Sequence, residues 1–433
     1  MDGRRGTVTR RAASVTRETF RALHVRNFRL FFVGQGISQV GNWLTLVAQS
    51  LLVLRLTGDG VAVGVLTACQ FLPVLVFGAW TGLIADRSDK RKLLLVVQVF
   101  AMAQSFAMAS LAFMDNPPLA WIYAVAFLGG ITFAFDNPTR RAFVVEMVPD
   151  EMIHNAVSLN SAMMTSARIV GPALAGLLIT TVGYGWCFTV DGLSYIGAIT
   201  ALLMIRPAEL RVVPLAKRGA GQIREGLRYV WGVPELAIPL VMALVIGIFT
   251  FNFQVVFPLV VTRAFGESEA TFTILFAFIS IGSLGGALYS ARRHTIDVRD
   301  VAATATFFGV SMLLFAAVPN LAWAFPVGLV VGVSSVLFLT ASTAIVQVNA
   351  APAMRGRVLA LQAIVFLGST PVGGPILGAI SDTFGPRAAV VVGGVAACGA
   401  AGWGVVAFKR RRGSLAADVP RPEPEDVQIP EPA

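Results

Sequence analysis

Residues 149–176 read PDEMIHNAVSLNSAMMTSARIVGPALAG, and residues 352–379 read PAMRGRVLALQAIVFLGSTPVGGPILGA. Pro149, Gly171 and Pro172 of the first stretch fall on Pro352, Gly374 and Pro375 of the second, at one offset of 203 residues. The same offset carries Gly82, which opens GLIADRSDKRK, onto Gly285, which opens GGALYSARRH. Glycine matches alone are cheap in a chain with 42 glycines. Two prolines and two separate landmarks on one offset are not. The offset is close to half of the 433 residues, so the chain reads as a duplicated fold. Repeats of this size in an apolar chain point to a transporter.

Hydrophobic residues make up 56% of the chain and charged residues 13%, with a mean hydropathy of +0.73. A soluble domain carries roughly 25% charged residues, so this chain cannot cover a water-facing surface. Its apolar residues fall in twelve blocks near the ~20 residues that cross a bilayer: 30–54, 61–84, 93–114, 119–136, 157–180, 186–205, 236–261, 270–290, 301–318, 321–347, 358–381 and 386–408. Backbone polar groups find no water inside lipid, which predicts a helix for every block. Pro73, Pro172, Pro239, Pro258, Pro326, Pro371 and Pro375 lie within blocks and predict kinks. The expected fold is an all-α membrane protein of twelve transmembrane helices in two pseudo-symmetric six-helix bundles.

The net charge of +10 would suit nucleic acid, but its placement does not. Of 34 lysines and arginines, 30 fall in segments on one side of the twelve blocks. Only Arg55, Arg263 and Arg387 fall on the other side, and Arg168 lies inside a span. This positive-inside bias predicts a multi-pass protein of the plasma membrane with both termini cytoplasmic. The partners it implies are the lipid bilayer and a small molecule, not nucleic acid.

The expected organisation is a basic N-terminal segment over 1–26, bundles over 27–205 and 236–408, a connector over 206–235, and a disordered tail over 409–433. No apolar run suited to a removable signal precedes residue 30. In the connector, Arg224, Arg228 and Trp231 suit an amphipathic helix on the membrane surface or a solvated linker helix. Cys69, Cys187 and Cys398 have no paired spacing and read as small hydrophobes, with no metal site or cofactor expected.

Gln35, Ser38, Gln39, Asn42, Thr45 and Gln49 recur at three- and four-residue steps along the first block. On a helix they form one polar stripe. Such a stripe is costly against lipid, so it faces another helix or a water-filled cavity. Its length favours a cavity wall. Asn252 and Gln254, among the phenylalanines of the seventh block, are further cavity candidates.

The run Gly82-Leu-Ile-Ala-Asp86-Arg87-Ser-Asp-Lys90-Arg91-Lys92 joins the second and third blocks on the basic side. It resembles the signature loop of the major facilitator superfamily, with Asp89 where a mid-turn glycine is usual. Aspartate tolerates left-handed turn geometry better than most residues. The resemblance implies a latch. Gly82 permits close helix approach, and Asp86 sits at the N-terminus of the eleventh span, where free N–H groups favour an anion. Lys90 or Arg91 pairs with Asp136. In the second half Asp86 maps onto Tyr289, so the latch is expected to work through the first bundle.

The strings DNPTRRAF from Asp136, VPDE from Val148 and ARIVGPALAG from Ala167 resemble the drug-exporter branch that includes the enterobactin exporter and macrolide-efflux proteins. Gly171, Pro172 and Gly176 resemble the fifth-span exporter signature, with Ala167 and Ala175 in place of two of its glycines. Generic small-residue packing explains the same residues. With Gly374 and Pro375 they are the expected packing and bending points. Arg168 is costly in a membrane, so it needs a partner or water. Asp191 is the nearest intramembrane acid unless it is interfacial. Asp136, Arg168 and Asp191 are the candidate coupling residues.

These features imply a secondary transporter, cycling by alternating access and exporting an amphiphilic drug-like, macrolide-like or siderophore compound by proton antiport. An uptake symporter, a lysolipid transporter or a non-transporting sensor on the same fold are the alternatives. An enzyme is not expected, because His24, His154 and His294 fall outside the blocks and no catalytic grouping converges. No phosphate-cradling Gly-x-x-x-x-Gly-Lys motif supports an ATP-driven pump. A monomer is the expected state.

Overall fold

The computed structural model describes residues 20–211, 222–290 and 297–417. Much of the expected N-terminal segment and tail, and the middle of the connector, lie outside the described residues.

Among the described residues, twelve helices are long and apolar enough to cross a membrane. In the first bundle these are α1 (Arg26–Thr57), α2 (Gly60–Arg87), α3 (Lys90–Ala112), α4 (Leu119–Glu146), α5 (Ile153–Thr181) and α6 (Tyr184–Met204). In the second they are α7 (Pro234–Phe249, resuming as Phe253–Leu259), α8 (Glu269–Ser290), α9 (Val298–Ala317), α10 (Leu321–Asn349), α11 (Pro352–Phe384) and α12 (Pro386–Ala417).

Local chemistry sets the turns between them. Gly58 closes α1 at φ 63°, its N–H returning to Leu54 O. A left-handed residue with no side chain is the usual way to stop a helix so abruptly. Asp59 then caps α2 by accepting from the Val61 N–H at 2.8 Å. Asp89 caps α3 on the Lys92 N–H at 3.1 Å, with φ −62°. The left-handed geometry expected at Asp89 is therefore absent; its carboxylate serves as a helix cap instead.

The duplication is visible in the packing. Helix α1 packs on α5 and α6, and α7 packs on α11 and α12. Helix α2 packs on α4 as α8 does on α10, and α3 on α6 as α9 does on α12. The two bundles meet along α2 with α11 and along α5 with α8. These two seams are one contact used twice, because each step of six helices exchanges them.

Two local expectations fail for physical reasons. The seventh block was expected to be one helix, but α7 breaks over residues 250–252. Asn252 Nδ2 donates to the carbonyls of Gly247 and Ile248 at 3.2 and 2.7 Å, and the Thr250 hydroxyl to Gly393 O at 2.9 Å. The freed backbone is thus satisfied inside protein, the condition under which a membrane tolerates a broken helix. The fourth block was expected to end at 136, but α4 runs to Glu146 through Pro138. This draws Arg140 into the bundle, 2% exposed.

The short connector helix, Gln222–Gly232, packs on the start of α11. Glu225 pairs with Arg357 at 2.6 Å, and the Tyr229 hydroxyl accepts from the Ala351 N–H at 3.0 Å. These contacts tie it to the second bundle, with Arg224, Leu227, Arg228 and Trp231 exposed on its outer side.

Candidate functional site

The polar stripe of α1 turns into the first bundle. Gln35, Ser38, Gln39, Thr45 and Gln49 are all buried, and only Asn42 keeps partial exposure. Thr45 Oγ1 and Ser105 Oγ both donate to Asp191 Oδ2, at 2.7 and 2.6 Å. Gln70 Nε2 donates to Gln49 Oε1 at 2.6 Å. Ser38 reaches Gln98 at 3.5 Å, and Gln98 Nε2 donates to Asp136 Oδ1 at 3.0 Å. The stripe therefore organises a buried network linking α1 to α2, α3, α4 and α6.

The two acids occupy separate nodes of that network. Asp136 is paired with Arg140 Nε at 3.0 Å one turn along α4. Neither Lys90 nor Arg91 reaches it: Lys90 pairs with Glu146 at 2.6 Å, and Arg91 donates to the carbonyls of Leu202 and Leu203 that end α6. A cation on the last carbonyls of a helix matches its dipole. Asp191 is 1% exposed and lies two turns into α6. Among the described residues it has no basic partner and its Oδ1 no hydrogen bond, and Gly41 leaves room beside that oxygen. A buried polar atom left so costs about 1–3 kcal/mol.

Arg168 is not brought to Asp191. Its guanidinium stacks on the Trp43 ring, 5.4 Å from the centroid, and its buried Nε has no hydrogen bond. The backbone beside it meets the second bundle, where Ser280 Oγ donates to Arg168 O at 3.4 Å. Trp43 packs in turn on Gly171, where a Cβ would fall 2.5 Å from the tryptophan Cβ. Across the bundle boundary, Asn252 is spent on the α7 break, with its Oδ1 unpartnered, whereas Gln254 is partly exposed. At the break Phe251 gathers Phe308 and Phe366, with ring centroids at 5.0 and 4.8 Å.

The seams between bundles are tightest toward the face opposite the basic loops. On α2 and α11, Gly64 lies against Gly374 and Pro375, so that a Cβ there would sit 2.5 Å from Gly374 O. Gly60 and Gly378 repeat the contact one turn outward. On α5 and α8, Gly176 lies against Thr273. Small residues let the backbones meet, and the Gly-Pro landmarks of the repeat fall on these helices. Toward the basic face the helices diverge. A Cβ on Gly82 would meet nothing within 4 Å, so the close approach expected there is not made in this conformation. Helix α1 follows the same gradient: Val33 and Ile37 are exposed, whereas of residues 44–54 only Leu46 is partly so.

A charged clasp closes the tight end. Asp382, at the end of α11, accepts from the Gly60 and Val61 N–H groups at 2.9 and 2.8 Å. These are the first N–H groups of α2, where a helix dipole favours an anion. Arg263 donates to Asp382 at 2.6 Å and also to Gly58 O. The Tyr184 hydroxyl of α6 donates to Glu269 of α8. Arg55 and Arg387 stack on Tyr184 and Phe265, 5.6 and 5.5 Å from the centroids. Sequence reasoning missed this clasp, yet a signal existed. Arg55, Arg263 and Arg387 are the three bases that fall on the base-poor side, and all three are engaged here.

Comparison with known proteins agrees with this architecture. The profile of the family described as "Transmembrane secretion effector" matches residues 17–409. The staphyloferrin A transporter of Staphylococcus aureus (strain NCTC 8325 / PS 47) is 22% identical over 82% of this chain and 90% of its own. Macrolide efflux protein A of Streptococcus pyogenes is 22% identical over 83% and 90%. The multidrug efflux pump Tap of Mycolicibacterium fortuitum is 26% identical over 80% and 87%. Among solved structures, a bacterial homologue of the lysosomal transporter Spinster, inward-facing and occupied, superposes with a TM-score of 0.68 at 14% identity, covering 88% of this chain and 96% of that one. A variant of the nucleoside transporter NupG gives 0.71 at 14% identity, covering 89% and 100%. With twelve spans, two bundles related by a repeat and a profile match over nearly its whole length, the chain belongs to the transmembrane secretion effector family of major facilitator transporters.

Proposed function

We propose that this transporter exports an amphiphilic, weakly polar compound by alternating access, in exchange for protons. The base-rich face is taken as cytoplasmic, with both termini there, following the positive-inside bias. The clasped face is then exoplasmic, and the conformation is open toward the cytoplasm. The observation that carries the reading is the graded seam, sealed by Asp382 and Arg263 at one end and diverging at Gly82 at the other. Two bundles joined this way rock about a central site.

Export is favoured by the relatives named as efflux proteins and by the Gly171-Pro172 pair inside α5. The compound is expected to meet Asn42, Gln254, the Phe251 aromatic group and Arg168 over Trp43. The coupling acids are Asp191, with its unpartnered oxygen, and Asp136 beside Arg140. In the alternate state Asp86, flanked by Gly82, Arg87, Lys90 and Arg91, closes the cytoplasmic end against the start of α11. The bundles act as units over 27–205 and 236–408, and the protein works as a monomer.

The test is cellular accumulation of an amphiphilic dye or a macrolide with and without the protein. Lower accumulation is expected, and higher accumulation overturns export. In reconstituted vesicles, a variant lacking both Asp136 and Asp191 is expected to lose pH-gradient-driven transport; full activity refutes proton coupling through these acids.

A further inference from the structure

We infer that the crevice between α3 and α4 is a binding site for an anionic phospholipid of the base-rich leaflet, holding one acyl chain with the phosphate at Lys92. The crevice encloses about 510 Å³, walled by Val96 and Phe100 of α3 and by Leu128 and Phe135 of α4. Its polar members do not call for a polar ligand. The Thr132 hydroxyl donates to Gly129 O at 2.7 Å, and the Gln104 amide lies flat against Gly129, where the missing side chain gives it room.

The crevice faces the bilayer. Helix α3 packs on α6 and α4, and its contact with the second bundle is slight at most. Its other face is exposed at Val96, Phe100, Ala103 and Ala107. From Leu93 to Ala107 the α3 wall rises about 21 Å, longer than the ~15 Å that one leaflet contributes to the hydrocarbon core.

Charge selects among lipids. Every lipid offers an apolar chain, and lipid tails are as apolar as the crevice, so chain burial alone discriminates little. Lys92 lies on the exposed stripe, one turn before Val96 and in line with Phe100, Ala103 and Ala107. Its side chain is 78% exposed and makes only a long, solvated ion pair with Asp89, 3.9 Å away. Its neighbours are occupied: Lys90 pairs with Glu146, and Arg91 holds the end of α6. Lys92 therefore stands over the mouth of the crevice with its charge available to a phosphate. One surface lysine is worth about a fivefold preference for an anionic headgroup.

The experiment is native mass spectrometry of the whole protein after equilibration with vesicles of equal phosphatidylglycerol and phosphatidylcholine. The wild type is expected to retain one phosphatidylglycerol about fivefold over phosphatidylcholine. Lys92→Gln should keep the bound lipid and lose the preference. Ala103→Trp, and Leu128→Trp from the opposite wall, should lose the lipid of either kind while unfolding at an unchanged temperature. Equal retention of both headgroups by the wild type, a preference surviving in Lys92→Gln, or full retention in a folded tryptophan variant overturns the assignment.

Discussion

Replacing Asp382 with asparagine should open the clasped face. Asp382 receives two N–H groups, at 2.9 and 2.8 Å, and the Arg263 guanidinium at 2.6 Å. Hydrogen bonds to a charged group contribute about 1.5–3 kcal/mol each, against about 1 for neutral ones. Asparagine keeps one acceptor oxygen but loses the charge. It also loses an ion pair that is about a quarter exposed on each side and so worth less than ~1 kcal/mol. The expected net loss is about 2 kcal/mol, or roughly a 30-fold shift in the equilibrium between states. Thr67, buried in α2 beside Gly374, reports it. In a protein with Cys69, Cys187 and Cys398 replaced, Thr67→Cys should react slowly with an impermeant maleimide added at the clasped face. Adding Asp382→Asn should speed labelling about 30-fold. Arg263→Gln should act in the same direction, and the pair should be less than additive because they share one interaction. Unchanged labelling in a folded, monodisperse Asp382→Asn protein refutes the clasp.

Three further outcomes follow from the same geometry. The hydrogen bond with Asp382, then partial burial, raises the Asp59 carboxyl above its ordinary value. The clasped state thus holds that proton more tightly, and this contribution is present below the ordinary carboxylate range and lost as pH rises through the raised value. Thr67→Cys labelling should quicken as pH rises at the clasped face, and Asp59→Asn should remove that dependence. Gly64→Val places side-chain atoms against Gly374 and Pro375, an overpacking of about 1–3 kcal/mol felt in the clasped state; faster labelling and reduced transport should result. Arg168→Leu removes a burial cost of about 2.5–3.5 kcal/mol and a stacking gain of up to about 2 kcal/mol on Trp43. It should raise the thermal midpoint while abolishing transport, and full transport in this variant would remove Arg168 from the site.

The parts legible in the sequence are those governed by periodicity and by the bilayer. Twelve helices followed from apolar blocks, and the double seam from a repeat in which Gly171-Pro172 and Gly374-Pro375 occupy equivalent places. What the sequence hid are pairings that depend on the depth and facing of single side chains. The extension of α4 through Pro138 gave Asp136 a partner four residues away, and no spacing rule chooses Arg140 over Lys90 in advance. The stripe on α1 was visible, but its facing was not: Thr45 and Gly41 turn toward Asp191, and that azimuth is set by how α1 packs on α6. Asn252 looked like a cavity amide, and only the geometry of the broken helix shows it holding two backbone carbonyls. The clasp was written in the three arginines of the base-poor side, a signal carried by rarity rather than by motif.

The duplication accounts for the seams but not for their chemistry, and that gap is informative. Strict symmetry would give α8 an acid matching Asp86, and it gives Tyr289 instead. The acid that answers Asp86 lies on the helix α2 packs against. Helices α2 and α11 run antiparallel, with Gly60 and Gly64 against Gly378 and Gly374: Asp382 rests on the first N–H groups of α2, and Asp86 ends α2 toward the end of the pair where α11 begins. If the bundles rock about the Gly64–Gly374 contact between them, closing one end of the pair opens the other. The N–H groups that bind Asp382 are then released as those offered to Asp86 come within reach. One antiparallel pair thereby carries both ends of the cycle, with comparable charge-on-dipole interactions opposing each other across a glycine fulcrum. Such a balance keeps the two states within a few kcal/mol, the range in which a substrate or a proton can shift the population. If the bundles rock in this way, the bond from Tyr184 of α6 to Glu269 of α8 must open together with the Asp382 contacts, because both close the same end.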